Sequence, residues 1–551
     1  MTPPSPPTVA AHGLTAPAPR ARVSSRNSSR KLSADLLLTG WLLVAVVFTL
    51  AAYLPAIGRP FDHPHAWVSA HFATIARSFL NHGIVELGGV PIQNNPPLGA
   101  MPDVYLHWPP LFGYVLAGAF GLFGESEAVA TLLMLVILLG TCVTLGTLVA
   151  RCGGSRAGIV AALSFLAMPV TVLYGRMVAH LHLAIFAMLV ALLGFLEATR
   201  AETRLARPWA IAGATALVVA VWASWEPVLV CPGLLVVALW RRRRVEVRLA
   251  LWYSAAAALG VASVITLYTL SAPVAVAELW HTLLYRTGLA PYAAPHFDPH
   301  TLFQLDDYAR RPPRAAALWL LAARMELVGQ LPVLALGLTL ARIVWTGRRR
   351  QRPERSVLLL GGLLAPWGLW CVGMFNHVAL HEYEVALAAP VLAAAVGLVV
   401  ARMLETSRGT ARTSDPEAGR AAETALALLL PAVLLLSMIP AARQSGSQES
   451  ARTLIAYARA VAAGTPPGSV VLTPSNSMLP VYYSQRHVIR GVAGDALVER
   501  VEAELKALFP DVPAFLALPP AEHSAFERAL ARYPVVRSSP DLTLLAIPEH
   551  G

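Results

Sequence analysis

Charged residues and cysteines are both scarce in this chain. Asp, Glu, Lys and Arg make up 14% of its 551 residues, against 56% hydrophobic residues. Soluble domains carry about 25% charged residues, so a wholly soluble protein is excluded. Of the four cysteines, Cys142, Cys231 and Cys371 sit in or beside apolar runs and Cys152 lies in a basic gap. No pair has metal-ligand spacing, and a disulfide framework is not expected. Lysine is almost absent, with only Lys31 and Lys506, so the positive charge is carried by arginine. A formal net charge of +11 invites a nucleic-acid partner. However, no basic face or recognition motif accompanies it, and no nucleic-acid partner is expected.

Hydrophobic runs of membrane-spanning length recur from Leu36 to about Ile439. Dense arginine clusters occupy every second gap between them: Arg151–Arg156, Arg200–Arg207, Arg241–Arg248, Arg348–Arg355 and Arg402–Arg420. The alternate gaps hold His, Trp, Tyr, Glu and Asn: Phe61–Pro110, Tyr174–His182, Ser224–Pro227, Ala272–Arg314 and Phe375–Glu384. Positive charge marks the cytoplasmic side of a membrane protein and meets anionic lipid there. The second set of gaps is therefore expected to share the outer face. Spans are expected at 35–57, 127–150, 156–173, 178–197, 207–224, 226–240, 249–270, 327–346, 356–375, 385–402 and 421–440. Leu111–Phe123 has about thirteen residues and three glycines. If it crossed, every later arginine cluster would lie outside, so parity predicts a re-entrant or interfacial segment.

The expected fold is mainly α: a polytopic bundle of about eleven spans over 35–440, with a long first outer loop at 58–126. Residues 1–34 are Pro-, Ser- and Arg-rich and read as a disordered cytoplasmic tail. A signal peptide is the competing reading, but Leu36–Leu54 is longer than a signal core. Within the first loop, Ala66–Leu80 reads as an amphipathic helix with Trp67, Phe72, Ile75 and Phe79 on one face. A turn at Asn94-Asn95-Pro96-Pro97 follows. Residues 441–551 read as a small α/β domain outside the membrane. Strand-like runs fall at Ser469–Leu472, Ala514–Leu518 and Leu542–Ile547, and amphipathic helices at Ser450–Ala463, Leu497–Leu508 and Ala521–Arg532. This domain has no phosphate-binding glycine loop and no Ser, Cys or metal constellation, so a structural or acceptor-handling role is expected.

Ionisable residues collect at the ends of the runs in the outer gaps: Asp62, His63, His65, His107, Arg176, His180, His182, Glu226, His281, Arg286, His377, His381, Glu382 and Glu384. Polar groups near membrane depth are functional candidates because desolvating them is costly. A lone histidine in such a place is more often an interfacial anchor, but convergence of several gaps on one face favours a site. His63-x-His65 and His180-x-His182 are possible metal pairs without a fuller ligand set, and no metal is expected. Arg176 stands on the outer side against the charge rule, where a phosphate would compensate it. Asp62 opens the first-loop helix, and general base and helix N-cap are equally compatible with that position.

These residues carry a resemblance. An acid precedes Ala76-Arg77-Ser78-Phe79-Leu80 and Gly83, and is followed by His107-x-Pro-Pro-Leu111 and Phe123-Gly124. Then come Tyr174-Gly-Arg-Met177, Trp225-Glu226-Pro227 and His381-Glu382-Tyr383. The order resembles the GT-C membrane glycosyltransferases over about residues 35–440. Within them it is similar to the branch of dolichyl-phosphate-mannose–protein mannosyltransferases and bacterial aminoarabinose transferases. The resemblance implies inverting, metal-independent transfer of a hexose or pentose from a polyprenyl-phosphate donor, without a cofactor. The acceptor would be a glycan, lipid or protein at the outer face of the bacterial cytoplasmic membrane. It places the general base at Asp62, and Glu226 is the substitute for a second acid missing after Arg176, with Glu382 behind it. It implies substrate contacts at His107, Arg176, His180, His182, His381, Glu382 and Tyr383. A transporter or lipid-linked sugar flippase is the alternative, although no internal repeat is present and the polar groups sit at run ends. A scaffold presenting the C-terminal domain is the third class.

Overall fold

The computed structural model describes residues 24–95, 103–200, 206–272, 274–289, 327–348, 354–413, 416–508 and 510–548. The Pro96-Pro97 part of the expected turn, most of the 272–314 gap and tail residues 1–23 lie outside these.

The first described helix is α1 (Ser24–Tyr53), which begins eleven residues ahead of the expected span. A helix needs backbone hydrogen bonds, not apolar side chains, so it can run past the hydrophobic stretch into Ser and Arg. Next come α2 (Ala66–His82), α3 (Leu111–Phe123), α4 (Glu127–Gly153), α5 (Ser155–Ala167), α6 (Pro169–Tyr174), α7 (His180–Arg200) and α8 (Ala206–Ala223). They are followed by α9 (Val230–Arg241), α10 (Arg244–Ser271), α11 (Ala275–Arg286), α12 (Gln330–Arg348), α13 (Ser356–Gly373), α14 (Phe375–Leu380), α15 (Ala389–Thr413) and α16 (Pro416–Gln444).

Eight helical stretches of the described residues are long and apolar enough to cross a membrane, in the regions of α1, α4, α7, α8, α10, α13, α15 and α16. The other three expected spans are shorter or broken. The 156–173 run divides into α5 and α6 at Met168, because the residue before Pro169 is pushed to extended backbone. The 226–240 run starts with a 3-10 turn at Glu226–Leu229, leaving twelve residues for α9. Gln330–Trp345 also falls short. The thirteen residues of α3 rise only about 20 Å, against a hydrocarbon core of about 30 Å. At the centre of the bundle is the Glu382–Ser407 stretch, in whose apolar span 89% of residues are buried; in the Leu36–Ala56 span the share is 22%, so α1 is peripheral. Small residues permit the tight α4–α5 contact: a Cβ on Gly158 would stand 2.7 Å from that of Ala150. Ser126 caps α4 by accepting from the Val129 N–H at 3.3 Å, and Glu127 complements the helix dipole.

The C-terminal domain contains α17 (Glu449–Gly464), β1 (Val470–Leu472), α18 (Leu479–Ser484), β2 (His487–Ile489), α19 (Asp495–Leu508), β3 (Ala514–Leu518), α20 (Glu527–Arg532), β4 (Val535–Ser539) and β5 (Leu542–Ile547). Its sheet has the order β2-β1-β3-β5-β4, with β1 parallel to β2 and β3, and the pairs β3–β5 and β4–β5 antiparallel. The expected single helix at 521–532 is instead a 3-10 turn, Pro520–Ala525, and then α20. Tyr457 ties α17 to the sheet by donating to the Ala517 carbonyl at 2.8 Å.

The first loop grips this domain. The Asn94 amide pairs with both backbone groups of Val488, at 2.8 and 2.9 Å. Asn95 donates to the Val481 and Arg486 carbonyls at 2.7 and 3.0 Å, and its own carbonyl meets His487 at 2.9 Å. Arg77 of α2, buried, pairs with Glu125, donates to the Tyr482 carbonyl at 2.9 Å and lies 4.3 Å over the Tyr482 ring. Two asparagines that read as turn residues therefore anchor one domain to the other.

Candidate functional site

Two polar clusters form at the end of the bundle beneath the C-terminal domain. The first gathers around Asp62. Its carboxylate accepts from the Ser447 hydroxyl and pairs with Arg452 at 3.4 Å, while its carbonyl accepts from the Gln448 N–H at 2.6 Å. Arg176 donates to the Ser445 carbonyl, and electrostatic attraction links it to Asp62. Thus the junction between α16 and α17 binds both residues. Burial holds the Arg176 pKa below its usual value, opposed by Tyr53 and Asp62. The cap reading of Asp62 is corrected here: His65 is the N-cap of α2, and no side chain caps that end. Asp62 stands three residues too early.

Beside Asp62, His63 is buried and bonded to the Ser69 hydroxyl at 3.1 Å, and Ser69 in turn accepts from the Val178 N–H at 2.9 Å. Burial lowers the His63 pKa to about 4, so the ring is neutral at neutral pH. His65 adopts the left-handed conformation (φ 55°), uncommon for a side-chain-bearing residue. Its ring lies 3.3 Å from the Glu382 carboxylate, which also accepts from the Tyr174 hydroxyl. Tyr383 packs against His65 with ring centroids 5.2 Å apart. The two members of His63-x-His65 therefore have separate partners. Among the described residues, no group of three or more His, Cys, Asp or Glu side chains could hold a metal ion.

The second cluster is built around Trp108. His180 stacks on it at 4.3 Å, the Arg286 guanidinium covers it at 4.3 Å, and His377 lies 5.5 Å away. His377 is 3.2 Å from Glu384, and Glu226 and Glu384 interact electrostatically with each other and with Arg286. Burial and Arg286 push the His377 pKa well down. At the rim, His107 pairs with Glu278 at 3.3 Å, and its carbonyl accepts from the Trp225 indole at 3.0 Å. His381 links the clusters, with ring centroids 4.5 Å from His377 and 5.4 Å from Tyr383.

The structure therefore brings Asp62 and Arg176 together, groups Glu382 and Tyr383 beside them, and puts His107, His180 and Glu226 in the second cluster. His182 belongs to neither: it bonds to the Tyr174 carbonyl at 2.9 Å and lines a separate cavity with Thr141, Thr171 and Ala389. Arg286, His377 and Glu384 had been visible as run-end ionisable residues without a role. Ser447, Arg452, Trp108 and Glu278 carried no signal of their own. Trp108 sits inside the His107-x-Pro-Pro-Leu111 motif, and that position was its only pointer.

A sequence model of the dolichyl-phosphate-mannose-protein mannosyltransferase family matches residues 107–268. Among solved structures, the chain is similar to ArnT from Cupriavidus metallidurans bound to undecaprenyl phosphate. Identity is 15%, the TM-score is 0.57, and the match covers 92% of this chain and 98% of that one. It is also similar to the Archaeoglobus fulgidus oligosaccharyltransferase tethered with an acceptor peptide. There identity is 13%, the TM-score is 0.56, and coverage is 88% of this chain and 69% of that one. No curated protein matches by sequence. At these identities the structural likeness is one of fold, and together with the family match it bears out the resemblance to GT-C membrane glycosyltransferases.

Proposed function

We propose that this protein is an integral-membrane glycosyltransferase. It moves a sugar from a polyprenyl-phosphate donor to an acceptor at the outer face of a bacterial cytoplasmic membrane, with inversion. The observation that carries this reading is the convergence of Asp62 and Arg176, from different loops, at one end of a GT-C-like bundle. The arginine-rich gaps set that end outside by the positive-inside rule. A lipid-linked donor keeps its chain in the bilayer and its phosphate at the interface, which is where span ends lie.

In the reaction, Asp62 removes the proton of an acceptor hydroxyl while its oxygen attacks the anomeric carbon. The bond from that carbon to the phosphate oxygen breaks, and the electron pair leaves with the phosphate. Arg176, with His107, stabilises the departing charge. Side-chain cations take the part a metal ion would play, and no cofactor enters. The C-terminal domain, joined to Asp62 through Ser447 and Arg452, handles the acceptor. Glu382, Tyr383 and His381 lie between the clusters and contact the substrate there.

The test is purified protein with labelled polyprenyl-phosphate sugars and envelope acceptors. Sugar transfer with inverted anomeric configuration, lost in Asp62→Asn and retained in a chelator, is the expected result. Movement of intact donor across vesicles without cleavage would establish the flippase class instead.

A further inference from the structure

Glu226 and Glu384 form an unusual pair. They are 0% and 1% exposed, and both interact electrostatically with the Arg286 guanidinium. Both oxygens of Glu226 and one of Glu384 lack a well-formed hydrogen bond, as do both ring nitrogens of His180, which is 2% exposed. The Ser224 hydroxyl and Trp370 indole lie near the two carboxylates without satisfying these oxygens. Native proteins leave few buried polar atoms in this state, and an uncompensated buried carboxylate is especially unfavourable. Such a concentration around one indole marks a binding site.

We infer that Glu226 and Glu384 form the subsite for the sugar ring of the lipid-linked donor, accepting hydrogen bonds from its hydroxyls. This rests on the transferase reading. The chemistry of the cluster separates the parts of such a donor. A phosphate offers no hydrogen-bond donor to the carboxyl oxygens. An isoprenoid chain would desolvate them without returning a hydrogen bond. A sugar ring offers several hydroxyl donors in one compact unit, matching buried carboxyl oxygens that lack hydrogen bonds. The rim is in place as well: His107, next to Trp108 in the chain, pairs with Glu278 at 3.3 Å, and each side chain is about a quarter exposed. Both carboxylates come from 3-10 segments, Glu226–Leu229 and Glu382–Ala388, that interrupt the bundle at helix ends.

The experiment measures affinity of the full-length protein in detergent for bare undecaprenyl phosphate and for the same lipid phosphate carrying a hexose, a pentose or an N-acetylhexosamine. Wild type should bind at least one sugar-bearing lipid about tenfold tighter than the bare lipid. Glu226→Gln and Glu384→Gln should lose that increment and keep bare-lipid affinity within about twofold. A retained increment in both variants overturns the proposal, as does a wild type that binds no sugar-bearing lipid better than bare lipid. Loss of bare-lipid affinity in a variant with wild-type melting assigns the pair to the phosphate and also overturns it. Failure of wild type to bind bare lipid sinks the transferase reading itself. If the variants do not fold, wild-type Glu226 should react with a hydrophobic carbodiimide and be protected by the preferred sugar-bearing lipid but not by the bare one. Equal protection counts against the subsite.

Discussion

At the residue scale, Asp62 has the surroundings a general base needs: partial burial, a hydroxyl donor in Ser447 and a nearby cation in Arg452. Asp62→Asn retains an oxygen for Ser447 and removes the basicity, so transfer should fall about 10²–10⁴-fold with donor affinity unchanged. Turnover near wild type would reduce Asp62 to a tether for the C-terminal domain. Arg176→Lys keeps the charge and loses the fork. Donor binding should weaken by about 1–3 kcal/mol, and equal affinities would place the phosphate elsewhere. The buried histidines give a pH dependence. His63 is lowered to about 4 and His71 to about 3, mainly by burial. Below pH 6.5 the unfolded chain takes up protons that the folded chain refuses, so stability is full above that value and falls as pH drops toward the folded pKa values. By pH 5 the loss is roughly 2 kcal/mol per histidine. Melting temperature should decline from pH 7 to 5, less steeply in His71→Phe, and a pH-independent wild type would contradict the account.

At the scale of elements, the first loop acts as a bracket between bundle and sheet. Helix α2 contributes its buried face to the membrane domain's core, while Arg77, Asn94 and Asn95 hold β2 and α18. Asn95→Ala leaves the Val481 and Arg486 carbonyls without their donor, at a cost of about 1–3 kcal/mol. The C-terminal domain should become more susceptible to limited proteolysis and the protein should melt earlier. Unchanged proteolysis would mean that Arg77 and Asn94 hold the interface alone. This bracket was hidden in the sequence because an Asn-Asn pair before proline has the local chemistry of a turn. Its partners lie 386 to 394 residues away. The short strands β2 and β4 escaped detection for related reasons: β2 has three residues and β4 is largely exposed, so neither shows a readable apolar pattern.

For the whole molecule, the decisive question is which side of the membrane carries the two clusters. The arginine parity requires that α3 not cross. A single cysteine replacing Ser126, in a chain otherwise free of cysteine, should react with an impermeant maleimide from outside intact cells. Reaction only after permeabilisation would reverse the sidedness and remove the proposed site from the outer face.

The sequence by itself determined where hydrophobic segments begin and end, because span length and helical period are local properties. Ala66–Leu80 appears as α2, 207–224 as α8, and Ala514–Leu518 and Leu542–Ile547 as strands. It also named most of the site's titratable residues, since charge at the end of an apolar run is conspicuous. Only the tertiary structure decided their company. Asp62 meets Ser447 across 385 residues, and His65 meets Glu382 across 317. Sequence reasoning chose Glu382 as the later acid. Packing instead left Glu382 39% exposed beside His65 and turned Glu384, two positions on, into the buried cluster with His377. A 3-10 turn rotates neighbouring side chains by about 120° per residue. Which of these two glutamates faces the core is therefore set by the helices packed around that turn.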